Sequence, residues 1–138
     1  MKTITLKIDC RAVGKPRMTQ RDKWKKRPVV MTYRDWCDYF RVIVARDVGW
    51  ANMPSPQQVM DLSWRATFAP PKSWSKKKRE AAIGGIHRAK PDRDNIDKAI
   101  LDVLFPDSKG GDSAVGVGTL EKYWGDRDLL EIFLTFEA

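Results

Sequence analysis

The sequence predicts a small single-domain α+β protein spanning residues 1–138. Three observations point there. Four segments alternate polar and apolar residues with a period of two. Three others carry apolar residues at helical spacing. The chain has 138 residues, of which 42% are hydrophobic and six are Trp, enough for one folded core and too few residues for two.

Residues 3–10 place Ile4, Leu6, Ile8 and Cys10 on one face, as a half-buried strand does. Residues 11–31 are basic and punctuated by Gly14, Pro16 and Pro28, which predicts a long loop or an irregular hairpin. A helix is expected over 32–48, with Thr32 as N-cap and Trp36, Tyr39, Phe40, Ile43 and Val44 as its apolar stripe. Pro54 and Pro56 mark a connector. A second strand follows at 59–68, with Leu62, Trp64, Ala66 and Phe68 in phase, and Pro70-Pro71 ends it. Ser73 or Ser75 caps a short basic helix over 76–83, terminated at Gly84-Gly85. The next helix covers 95–104. Asp94 is its expected N-cap, Asp97 its N3 residue, and Ile96, Ala99, Ile100, Val103 and Leu104 its buried face. Pro106 stops it. Residues 107–113 form a loop, and strands are expected at 114–124 and 129–136. The short Gly125-Asp126-Arg127-Asp128 link predicts that these last two pair as an antiparallel hairpin.

The formal net charge is +8, which favours a polyanionic partner. From Lys15 to Arg34 there are eight basic residues and one acid. From Lys72 to Lys90 there are seven and one. Each run alone reads as a solvated loop. Together they frame a net acidic remainder, and that arrangement suits contact with a phosphate backbone, which weakens steeply with salt. The two cysteines, Cys10 and Cys37, lack metal-binding spacing and are expected as free thiols in a reducing compartment. No apolar core of a signal peptide follows Met1, and no run approaches the ~20 residues of a membrane span. A soluble, cytoplasmic protein is expected.

The chemistry is concentrated in Lys90-Pro91-Asp92-Arg93-Asp94-Asn95-Ile96-Asp97-Lys98 and, further on, in Gly111-Asp112-Ser113. Asp92 and Asp94 stand at a helix mouth, and Asp112 follows a loop able to fold back on it. Hard cations such as Mg²⁺ take a few carboxylates and complete their shell with water and substrate phosphate. A metal so held can activate water and polarise a scissile phosphate. Lys98, one turn past Asp94, could stabilise the charge that develops there. Simpler readings stand beside these. Aspartates favour helix N-termini. Asp112 could be a turn residue, and Lys98 half of an i,i+4 ion pair with Asp94 or Asp102. His87, the single histidine, reads as a phosphate contact or a loop residue. Trp74 could stack on an unpaired base or anchor its loop on the core.

Lys90-Pro91-Asp92-x-Asp94-Asn95-x-x-Lys98-x-x-x-Asp102-x-Leu104, followed by Asp112-Ser113-x-Val115, resembles the signature of the RusA family. These are Holliday-junction resolvases of bacteria and their phages. Gly14-Lys15-Pro16-Arg17 and the stretch from Pro71 to Arg79 are similar to segments of phage-type members. The likeness extends from about residue 4 to 136. It implies a mixed β-sheet with helices packed on it. It also implies a Mg²⁺-dependent homodimeric endodeoxyribonuclease that makes paired nicks in four-way junction DNA during recombination and repair, in the bacterial cytoplasm. By motif position, Asp92, Asp94 and Asp112 match the metal-binding and catalytic acids. Lys98 matches the catalytic lysine, and Asn95 a residue that supports the ligands from behind. Lys15, Arg17, Lys76, Lys77, Lys78 and Arg79 are the candidates for DNA-backbone contact. The family shows paired acids where this chain has Gly111-Asp112, so the first acid is lost. The alternative is a non-catalytic junction-binding protein with a decayed metal site, which would bind without nicking.

Overall fold

The computed structural model describes residues 1–17, 21, 27–106 and 111–138, and of residues 111 and 112 the backbone alone. Four strands, β1 (Lys2–Ile8), β2 (Val59–Phe68), β3 (Leu120–Trp124) and β4 (Leu129–Phe136), form a mixed sheet in the order β1-β4-β2-β3. The helices are α1 (Pro28–Asp47), α2 (Lys76–Ala82), α3 (Arg93–Leu104) and the single turn α4 (Gly111–Ala114). The α+β expectation with a mixed sheet therefore holds.

Period-two alternation sets the inner face of the sheet. Leu6 and Ile8 of β1, Leu62, Trp64, Ala66 and Phe68 of β2, and Leu130, Ile132, Leu134 and Phe136 of β4 are all buried. Val59 is also buried, although it is out of phase with Leu62. A register irregularity between Val59 and Asp61 supplies the extra residue that turns both inward. Helix α1 lays Tyr33, Trp36, Cys37, Phe40, Ile43 and Val44 into this core and also buries Val30, and α3 adds Ile96, Ala99, Ile100, Leu101, Val103 and Leu104. Each fully buried Leu, Ile or Phe contributes about 1.5–3 kcal/mol relative to exposure. Both cysteines are free thiols.

The expected hairpin between the last two strands is not formed. β3 pairs in parallel with β2, and β4 inserts between β1 and β2, antiparallel to both. The 125–128 link therefore crosses the end of β2 instead of turning back on β3. Gly125 N–H donates to the Phe68 carbonyl at 2.9 Å, and Asp128 Oδ1 accepts from Ala69 N–H at 2.9 Å. The strand expected from residue 114 begins at Leu120, because 111–114 form α4. Residues 117–119 already run along β2, with Val117 and Thr119 carbonyls accepting from Leu62 and Trp64 N–H.

Helix α1 starts four residues before the expected site. Pro28, counted as a loop breaker, occupies the first turn, where its missing N–H costs nothing, and Thr32 lies inside the helix. Ser75 is the cap of α2, accepting from Lys78 N–H at 3.2 Å. For α3 the N-cap is Asp92, two residues before the expected Asp94, which lies in the first turn. Asp97 does not close a capping box with Asp94. Its carboxylate accepts from the indole N–H of buried Trp64 at 3.0 Å.

Gly118 gives a direct test of the β2–β3 alignment. A Cβ there would lie 1.9 Å from the Leu62 carbonyl oxygen, on backbone that cannot swing aside. Gly118→Ala is expected to cost at least about 2 kcal/mol, as overpacking against a fixed wall does. The urea midpoint would show it as a clear drop, and an unchanged midpoint would mean that β3 is not registered against β2 in this way.

Candidate active site

The approach to α3 is built from the sheet edge. Residues 84–87 run along the outer side of β3. Gly84 N–H donates to the Trp124 carbonyl, Trp124 N–H to Gly85, and His87 N–H to Lys122, at 2.8–3.1 Å. The Lys122 ammonium then reaches under the following segment and donates to the Ala89 and Pro91 carbonyls at 2.7 and 2.6 Å. The backbone immediately before Asp92 is thus pinned to β3 by one side chain. Burial lowers the Lys122 pKa, and the nearby Asp92 partly opposes that shift.

Asp92 caps α3 by position only, since its carboxylate makes no bond to the helix N–H groups. Lys90 Nζ lies 3.0 Å from it instead. The Asp92 side chain is 48% exposed and that of Asp94 72% exposed. Asp94 faces Lys98 at 4.0 Å, so the i,i+4 relation exists as a loose, exposed pair. Such pairs contribute little, and neither lysine is held away from a phosphate by it.

A second strand of the site comes from the N-terminal segment. Lys15 N–H donates to the Asn95 carbonyl at 3.0 Å, and Lys15 Nζ lies 2.7 Å from Asp102. Tyr33 of α1 donates its hydroxyl to the same Asp102 oxygen at 2.8 Å. Burial and this carboxylate raise the Tyr33 pKa, so the phenol stays protonated. Gly14 allows the close approach. A Cβ there would meet Pro91 Cβ at 3.0 Å and Asn95 Cβ at 3.2 Å. Lys15, Pro16, Arg17, Asn95 and Lys98 consequently line one cleft of about 520 Å³.

The expected residues divide as follows. Asp92, Asp94, Asn95 and Lys98 gather at the start of α3, with Lys15 and Arg17 beside them. Lys15 is already engaged by Asp102, which narrows its role to holding the segment as much as meeting a phosphate. Lys76, Lys77 and Lys78 are exposed on α2. Lys78 lies over the Trp74 ring at 4.1 Å. Trp74 itself packs on Trp124 with ring centres 5.1 Å apart, so it anchors its loop on the core. His87 lies in the segment between α2 and α3, as a loop residue, but it is buried and not solvated. It is 3% exposed, stacked on Phe68 at 4.0 Å and against Trp124 at 4.4 Å. The Asp112 side chain lies outside the described residues, although α4 backbone contacts α3. Among the described residues no three His, Cys, Asp or Glu side chains form a metal-binding group.

Sequence reasoning missed Lys122, Tyr33 and the placement of His87. Tyr33 stood at the start of the expected helix without a marked role, and Lys122 in an unremarkable strand. Their roles depend on elements far away in the chain, so no local signal marks them.

The chain matches the family model of endodeoxyribonuclease RusA over residues 10–135. It belongs to the RusA endodeoxyribonuclease family. No curated protein sequence matches it. The RusA match takes in every element except β1 and the last residue of β4. An endodeoxyribonuclease accounts for a basic chain with exposed acids at a helix mouth. Among the described residues no helix is long and apolar enough to cross a membrane.

The donor set fits a hard divalent cation. Asp92 and Asp94 offer carboxylate oxygens that are exposed and not used by helix N–H groups. Lys90, 84% exposed, can leave Asp92 at little cost.

Proposed function

We propose that this RusA-family chain is a Mg²⁺-dependent endonuclease that cuts four-way DNA junctions by paired nicks, in recombination or repair of bacterial or phage DNA. The observation that carries the proposal is the pair Asp92 and Asp94, presented at the α3 mouth with carboxylates not spent on capping. Asp92, Asp94 and Asp112 would hold the cation. When bound, it supplies Lewis acidity toward a phosphodiester. Lys98 stands one turn above Asp94 and would meet charge developing on the phosphate oxygens. Lys122 holds the chain before Asp92, so the carboxylate is presented without rearrangement. Asn95 fixes the neighbouring Lys15 segment through its backbone carbonyl. Lys15, Arg17 and the α2 residues Lys76, Lys77, Lys78 and Arg79 would contact the DNA backbone and position it without reading sequence.

A homodimer suits the substrate. A four-way junction has approximate two-fold symmetry, and an isologous dimer offers two equivalent sites to two equivalent strands. The test is cleavage of a labelled four-way junction beside a matched linear duplex, with and without Mg²⁺. Symmetric nicks in the junction alone, dependent on metal, are expected. Tight junction binding with no nicking in any divalent metal would replace this reading by a binding protein whose site decayed with the acid lost at Gly111.

A further inference from the structure

A cavity of about 630 Å³ opens between the 86–90 segment, the first turn of α3 and β3. Asp92 stands at its wall, so the cavity adjoins the candidate metal acids. His87 also lines it. Among the described residues neither ring nitrogen of His87 has a hydrogen-bond partner, although the residue is 3% exposed. The ring is held between Phe68 and Trp124. Buried polar atoms are rarely left in this condition, because each unsatisfied group is unfavourable. Burial, with Lys122 and Arg11 nearby, lowers the His87 pKa to about 4, so the ring is neutral at pH 7. A neutral imidazole offers one donor and one acceptor on different sides of the ring, so one of them can meet a polar atom of a ligand in the cavity.

The rest of the wall is divided in kind. Ile86 and Leu120 provide apolar surface, and Ile86 is 56% exposed. Arg88 and Arg93 provide cations, and neither forms an ion pair among the described residues. Guanidinium groups suit phosphate oxygens. A cavity of this size lies within the range that encloses small organic ligands.

We infer that this cavity is a nucleotide subsite that takes one unstacked deoxynucleotide next to the scissile phosphate. The base lies against Ile86 and Leu120 with its edge toward His87, and the phosphate meets Arg88 and Arg93. The inference rests on the nuclease reading for its place beside the cut, and on the cavity for its chemistry.

Because His87 is the single histidine of the chain, its imidazole gives one set of ¹⁵N–¹H signals. The metal-free protein would be titrated with each of the four deoxynucleoside monophosphates and, separately, with inorganic phosphate. A saturable shift of the His87 signals with at least one nucleotide is expected, and none with inorganic phosphate. The Arg88→Gln/Arg93→Gln variant, changed at exposed positions, is expected to bind that nucleotide about tenfold or more weakly. Silence of His87 toward all four nucleotides would overturn the subsite, as would an equal shift with inorganic phosphate. Unchanged affinity in the double variant would overturn the phosphate contact. Junction nicking measured on the same preparation separates the two readings. Nicking with a silent His87 rejects the subsite and leaves the nuclease, whereas nucleotide binding without nicking keeps the subsite and rejects the nuclease.

Discussion

Asp94→Asn should leave the protein folded and remove metal-dependent nicking of a four-way junction, by at least about a hundredfold. The Asp94 side chain is 72% exposed and, among the described residues, its one ion pair is with Lys98 at 4.0 Å. It does not cap α3, a place taken by Asp92. Its loss should therefore cost the fold well under 1 kcal/mol, the range of exposed helix pairs. A carboxylate that holds a catalytic cation is a different matter. Removing several kcal/mol of transition-state stabilisation lowers a rate by two or more powers of ten. Junction binding should persist or tighten, since the substitution takes away a negative charge near phosphate. The measurements are a single-turnover nicking rate, a thermal melt and a binding titration on one preparation. A variant that nicks at the native rate would remove Asp94 from the site. One that melts far below the native protein would make Asp94 a structural residue.

The second large effect concerns acid. His87 is buried, neutral and, among the described residues, without a partner for either ring nitrogen. Its pKa falls from 6.5 to about 4, with burial as the main cause and the cations Lys122 and Arg11 adding to it. In the unfolded chain the ring takes a proton as pH drops through 6.5, whereas the folded ring resists until about pH 4. Between these values the unfolded state binds more protons, so stability falls as the solution is acidified. Full protonation corresponds to a loss on the order of 3 kcal/mol, complete below about pH 4. Above pH 6.5 the linkage vanishes. Urea unfolding at a series of pH values should show this slope in the native protein. His87→Phe keeps an aromatic ring between Phe68 and Trp124 and should be flatter over the same window. Equal slopes in the two proteins would mean that His87 is solvated or paired in the folded state.

Much of the fold was legible in the sequence where the signal is local. The strand limits at 59–68 and 129–136 followed from alternation alone, because neighbouring side chains of a strand must point to opposite faces. The buried face of α3 followed from its helical spacing in the same way. Errors arose where two local signals conflict. Pro28 marks a break inside a helix and a start at its first turn, and only the burial of Val30 and Tyr33 selects the second. The bulge at Val59–Asp61 was invisible because it relates β2 to its partner, not to itself.

The site shows the same division. By itself the sequence determined the fold class, the basic surroundings, the chemical identity of the motif from Lys90 to Lys98, and the clustering of Asp92, Asp94 and Lys98 within two turns of chain. These depend on residue type and on separations of a few positions. Tertiary structure alone decided that β4 enters between β1 and β2, that Lys122 grips the backbone ahead of Asp92, that Asp102 is claimed by Lys15 and Tyr33, and that His87 is sealed between two aromatic rings. Those partners lie about 20–90 residues apart. Their choice is settled by which arrangement buries the sheet's apolar face while leaving few polar groups unpaired, a property of the whole chain and of no single segment.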